Sequence, residues 1–102
     1  MPTRHRISYL SIAQKDLKGI IDTIAKESAK AAADFVEKLD HHVGLLARQP
    51  RMGVVPKDPV LKSKGYRMLV VGNYLVFYVI LEQKVEIRRV LHAKRNYRFL
   101  LE

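Results

Sequence analysis

The stretch from Tyr66 to His92 constrains the fold more than any other part of this chain. It reads as three β-rich runs, "YRMLVV", "YLVFYVIL" and "VEIRRVLH", with Gly72-Asn73 between the first two and "LEQK" marking the next reversal. A two-residue Gly-Asn link is the kind that closes a tight hairpin, and consecutive strands joined so closely must run antiparallel. Three such runs specify a meander, which needs something apolar to pack against.

The first half of the chain supplies that cover. "RHRISYL", Arg4 to Leu10, alternates as a short first strand with Ile7 and Tyr9 on one side. Ser11 and Gln14 in "SIAQ" have the spacing of a capping box. Ala13, Leu17, Ile20, Ile21 and Ile24 then form one helical stripe, with Lys15, Asp16, Lys18 and Asp22 left for water. A second helical pattern, from about Ala29 to Ala47, carries Ala32, Val36, Leu39, Val43 and Leu46, and Pro50 ends it. The brief break near Lys26 to Ser28 predicts an antiparallel helix hairpin.

The order strand, helix, helix, strand, strand, strand predicts one α+β domain over residues 1–102: a mostly antiparallel sheet with the helix hairpin on one face. The other face is expected to be open and to form a shallow groove. "AKRNYRFLLE" is left as a tail, with room for a helical turn closed down by Phe99 and Leu100.

Charge points toward a partner. Residues 1–50 hold 8 Lys/Arg and 6 Asp/Glu, +2; residues 51–102 hold 11 and 4, +7. A basic half attracts polyanions, with nucleic acid and an acidic protein as the obvious classes. The N-terminus has no apolar run with a cleavage site, and the longest apolar stretch, Tyr74 to Leu81, is far short of a bilayer span. A soluble, cytoplasmic protein without a membrane partner is expected. With no cysteine, disulfides and thiolate chemistry are excluded. Neighbouring His41 and His42 diverge by about 100° on a helix, so no metal site and no cofactor are expected.

No phosphate loop, dinucleotide fingerprint or nucleophile elbow occurs, and the basic half has too few carboxylates for a two-metal site. What remains is Arg, Lys, His and Tyr. Alternation in the last strand separates Val85, Ile87, Arg89 and Leu91 from Glu86, Arg88, Val90 and His92. Arg67, near the start of what reads as a central strand, needs something to neutralise or use it. Such a set can cleave RNA without a metal: His92 and Tyr97 would share the proton transfers, and Arg67 and Arg95 would stabilise charge at phosphorus. The same residues could bind a phosphate and leave it unchanged.

Four stretches resemble the RelE/ParE superfamily of type II toxin–antitoxin toxins: "SIAQKDLKGIIDTIA", "LARQPRMG", "GYRMLVVGNYLVFYVI" and "VEIRRVLHAKRNY". The resemblance implies a cytoplasmic toxin neutralised by a cognate antitoxin with an acidic C-terminal segment. It implies either ribosome-dependent mRNA cleavage, as in RelE-like members, or inhibition of DNA gyrase, as in ParE-like members. On the RelE-like reading, taken first, Arg67 and Arg95 match the family's phosphate-handling arginines and Tyr97 its C-terminal aromatic residue. Lys57, Lys62, Lys64, Arg88 and Lys94 are then the cations expected to hold ribosome and mRNA. "VLH" followed closely by a basic residue also resembles ParE-like members, in which the histidine need not be catalytic. A non-toxic basic binding module of the same fold is the third reading.

Overall fold

A computed structural model describes residues 4–95. Strand β1 (Arg6–Tyr9) leads into helices α1 (Ser11–Glu27) and α2 (Ala29–Leu45), which are separated by Ser28 alone. A 3-10 turn at Pro50–Met52 and the short helix α3 (Pro59–Ser63) precede the meander β2 (Tyr66–Val71), β3 (Tyr74–Leu81) and β4 (Lys84–His92). The sheet order is β1-β4-β3-β2. Among the described residues no helix is long and apolar enough to cross a membrane.

The α+β architecture is as the sequence predicts, and both meander turns fall where expected. Gly72 takes a positive φ of 59° and Glu82 one of 43°, the left-handed conformations that two-residue hairpin turns require. Four details differ. First, β1 pairs parallel with β4, Ile7 opposite Val85, so the sheet is mixed. The helix hairpin returns the chain on one face, which lets β1 lie beside the last strand in the same direction.

Second, β2 is an edge strand, so Arg67 does not sit in the middle of the sheet. Third, Leu10 occupies the cap position of α1 and makes no side-chain cap. Its N–H instead donates to Ile87 O at 2.9 Å, extending the β1 pairing up to the helix, and Gln14 Nε2 reaches back to Tyr9 O at 3.3 Å. The side-chain cap in this hairpin belongs to Ser28, whose Oγ accepts from Ala31 N–H at 3.0 Å.

Fourth, the face away from the helix hairpin is not open. On the hairpin side, Ala13, Leu39, Val43 and Leu46 pack against Leu69, Val71, Val76, Tyr78, Val85, Ile87 and Val90. On the opposite side, Leu61 of α3 is fully buried in a second core with Tyr66, Phe77, Val79 and Leu91. Asp58 starts α3, its Oδ1 accepting from Val60 and Leu61 N–H, so the irregular 50–64 connection carries a small lid of its own.

A β-bulge is the main departure from simple alternation. Phe77 stands opposite Arg89 but Tyr78 opposite Ile87, leaving Arg88 as the extra residue on β4. Val85, Ile87 and Val90 therefore all reach the hairpin-side core, while Leu91 reaches the opposite one. Arg88 lies over the Tyr66 ring and His92 against Tyr74, so these two do not share a side as unbroken alternation predicts. The expected tail from residue 96 onward lies outside the described residues.

Candidate functional site

Arg67 is half-buried on β2, opposite Tyr78. Its Nη1 donates to Arg51 O at 3.1 Å and to Gly53 O at 2.9 Å. Those carbonyls are held in place from below. The fully buried Tyr78 hydroxyl donates to Pro50 O at 2.6 Å and accepts from Gly53 N–H at 2.9 Å. Burial pushes the Tyr78 hydroxyl above its ordinary pKa, against the opposing pulls of the Gly53 N–H and the Arg67 charge. Val54 and Met68 then exchange two 2.8 Å backbone bonds, covering the edge of β2 at that point. Arg67 therefore clamps the 50–54 segment onto the sheet edge while bordering a hollow lined by Arg51, Lys62, Tyr66 and Glu82.

His92 and Arg95 lie at the other end of the meander. The His92 ring meets Tyr74 edge-on at 5.2 Å, and Tyr74 meets Phe35 of α2 at 5.1 Å. Lys94 N–H donates to His92 Nδ1 at 3.1 Å, which assigns the hydrogen of the neutral imidazole to Nε2. Arg95 N–H donates to His92 O at 2.9 Å, closing a turn that brings Arg95 to the same hollow as His92, Lys15 and Asp16.

The four residues predicted to act together are thus distributed. His92 and Arg95 share one hollow. Arg67 pairs across to Tyr78, whereas His92 pairs with Tyr74, four positions along β3 and on its other side. Strand rise and spacing put their Cα atoms roughly 17 Å apart. Tyr97 lies outside the described residues.

Of the other predicted cations, Lys57, Lys62, Lys64 and Lys94 are exposed. Lys62 borders the Arg67 hollow, and Lys94 follows His92. Arg88 stacks 5.6 Å from the Tyr66 ring centre and donates to Glu86 Oε1 at 3.1 Å. Burial works against its charge, but Tyr66 and Glu86 outweigh that and hold its pKa above the ordinary value. Among the described residues no group of three His, Cys, Asp or Glu could hold a metal ion.

Asp16, expected to face water, is the residue the sequence reading missed. It accepts from Arg89 Nε at 2.8 Å, Arg89 Nη2 at 3.0 Å and Val90 N–H at 3.0 Å, tying α1 to the bulge of β4. The Asp16 hydrogen bond raises the Arg89 pKa against the effect of burial. A signal was present: an arginine inside an apolar strand needs a carboxylate, and the polar face of α1 offers one.

The model of the family described as "ParE toxin of type II toxin-antitoxin system, parDE" matches residues 7–97. Two solved structures share the fold. The chromosomal ParDE toxin–antitoxin system from P. aeruginosa superposes with a TM-score of 0.73 at 17% identity, covering 88% of this chain and 97% of the other. The toxin–antitoxin complex RelBE2 from Mycobacterium tuberculosis gives 0.61 at 23%, covering 90% and 94%. No curated protein matches. The small mixed sheet under a helix hairpin is the fold these structures share with the chain. The chain belongs to the ParE toxin family of type II toxin–antitoxin systems.

Proposed function

We propose that this toxin arrests growth by binding and inhibiting DNA gyrase, without cutting mRNA. One observation carries the reading: Arg67 on β2 lies across β3 from His92 and four positions further along it, and its guanidinium holds the carbonyls of Arg51 and Gly53. General acid–base cleavage needs the charge-stabilising arginine within hydrogen-bonding reach of the phosphate that the proton-transfer groups address. A binding protein has no such requirement, and its cations can be spread over a surface. The match to the ParE family favours the same side.

A cognate antitoxin is the expected partner, since both structural neighbours are toxin–antitoxin systems. The apolar hollow between β1, α1 and α2, lined by Ile7, Tyr9, Leu17, Ile21 and Val36, suits the apolar face of an amphipathic segment.

Purified toxin tested side by side in a gyrase supercoiling assay and in coupled translation separates the alternatives. Inhibited supercoiling with uncut message is the expected pair of results. Discrete cuts mapped by primer extension on ribosome-bound mRNA, with supercoiling unimpaired, would refute the proposal and restore the nuclease reading.

A further inference from the structure

Along the edge of β2 runs an apolar strip that neither core takes in. Among the described residues eight large apolar side chains are exposed, and four of them, Val54, Val55, Val60 and Val70, lie on β2 or on the 50–64 connection beside it. Exposed apolar residues gathered in one patch mark an interaction surface. The connection passes over the β2 edge, from Gly53 on the Tyr78 side of the sheet to Leu61 on the other. Val54 stands at the crossing, opposite Met68 in an antiparallel bridge, so these two side chains share a face, and Val70, two positions along β2, joins them there. Val54 and Val70 are each 57% exposed.

The backbone is open at the same place. Val54 exchanges two hydrogen bonds with Met68, so Met68 turns its N–H and C=O away from β3. The two-residue period turns those of Val70 the same way, and no hydrogen bond reaches them among the described residues. Edge strands are ordinarily blunted at such a position by a charge, a proline or a bulge, and Val70 is none of these. The surroundings are cationic. Arg51, Lys57 and Lys62 are exposed on the connection, and Lys38 Nζ lies 3.8 Å from where a Cβ on Gly72 would stand. None of these four forms an ion pair among the described residues, and Asp58, the one carboxylate of the connection, is engaged in capping α3.

From this juxtaposition we infer that the toxin engages gyrase through the β2 edge at Val70, which takes an extended segment of the enzyme with an apolar residue against Val54 and Val70 and carboxylates against the flanking cations. The inference rests on the gyrase reading. Open backbone donors and acceptors beside an apolar strip suit a peptide better than a nucleic-acid strand. A second copy of this chain fits poorly, because it would set cations against cations.

Supercoiling by purified gyrase in the presence of the full chain and its variants tests the inference, together with hydrogen exchange on the toxin–gyrase complex. Val70→Lys should raise the toxin concentration for half-inhibition about tenfold, the loss of a central apolar contact. Lys38→Glu should raise it as well, by a margin that shrinks as salt is added. Ile12→Lys, which replaces an exposed apolar residue on α1, should leave it unchanged. The Val70 amide, a readout that needs no substitution, should exchange fast in the free toxin and about tenfold or more slower with gyrase bound. Unaltered toxin that leaves supercoiling intact would refute the gyrase reading and this inference with it. Inhibition that Val70→Lys leaves unchanged, or a Val70 amide no better protected in the complex, overturns the edge inference alone. A toxin dimer seen by light scattering and dissolved by Val70→Lys would assign the edge to a second copy and overturn it too.

Discussion

Tyr78→Phe isolates the contact on which the Arg67 region rests. The ring is fully buried and can stay in place, so the change removes one oxygen and little else. That oxygen donates to Pro50 O at 2.6 Å and accepts from Gly53 N–H at 2.9 Å. Without it a buried N–H and a partly buried carbonyl lose their partners at once, and each such loss costs about 1–3 kcal/mol. Water can reach Pro50 more easily than Gly53, so a total of about 2–4 kcal/mol is expected, equivalent to a fall in Tm of roughly 10 °C or more.

The pH dependence gives a second, independent readout. Burial raises the folded Tyr78 pKa above its ordinary 10.0, so the unfolded chain ionises first. The corresponding stability is complete below pH 10 and is lost as pH rises through the higher folded value. Tyr78→Phe should therefore flatten the decline in unfolding free energy above pH 10. Part of that decline should remain, because Tyr9 is also raised, by burial and then by Asp40. Urea denaturation across pH 8–11 measures both effects. A loss below about 0.5 kcal/mol, or an unchanged slope above pH 10, would refute the claim that this hydroxyl holds the 50–53 segment.

Asp16→Ala should cost about 2–3 kcal/mol in urea denaturation, because it leaves the largely buried Arg89 guanidinium and Val90 N–H without this partner. Glu86→Ala removes ion pairs to Lys84 and Arg88 whose side chains are about one-third exposed, and should cost about 1 kcal/mol or less. At Gly53 a Cβ would meet Tyr78 Oη at 2.6 Å and Met68 O at 2.8 Å, so Gly53→Ala should destabilise by about 1–3 kcal/mol. Gly19→Ala, with nothing within 4 Å on a helix interior, should instead stabilise by about 0.5–1 kcal/mol; thermal melts distinguish the two glycines by sign.

The elements were legible because their signals are local. The apolar stripe from Ala13 to Ile24, Pro50 after the second helix, and Gly72-Asn73 between two β-rich runs each depend on neighbours within a few residues. What escaped the sequence depends on distant pairings. The parallel placement of β1 is decided by where the helix hairpin returns the chain. The bulge at Arg88 has no composition of its own, and one extra residue there sends Arg88 and His92 to opposite faces. Arg67 reads as an arginine of a central strand that needs a partner, whereas β2 lies at the sheet edge. The partners are backbone carbonyls of Arg51 and Gly53, which no side-chain pattern advertises. The burial of Leu61 likewise depends on Tyr66, Phe77 and Leu91, which are close to it only in the folded sheet.

The pairing of β1 with β4 also bears on when this protein can complete its fold. Ile7 must meet Val85, so the sheet closes between opposite ends of the chain, a contact of high sequence separation that forms slowly. During synthesis the helix hairpin emerges long before β4 exists, and it has no sheet on which to bury Leu39 and Val43. A chain still growing on its ribosome consequently lacks the strand on which β1 and the helix hairpin both close.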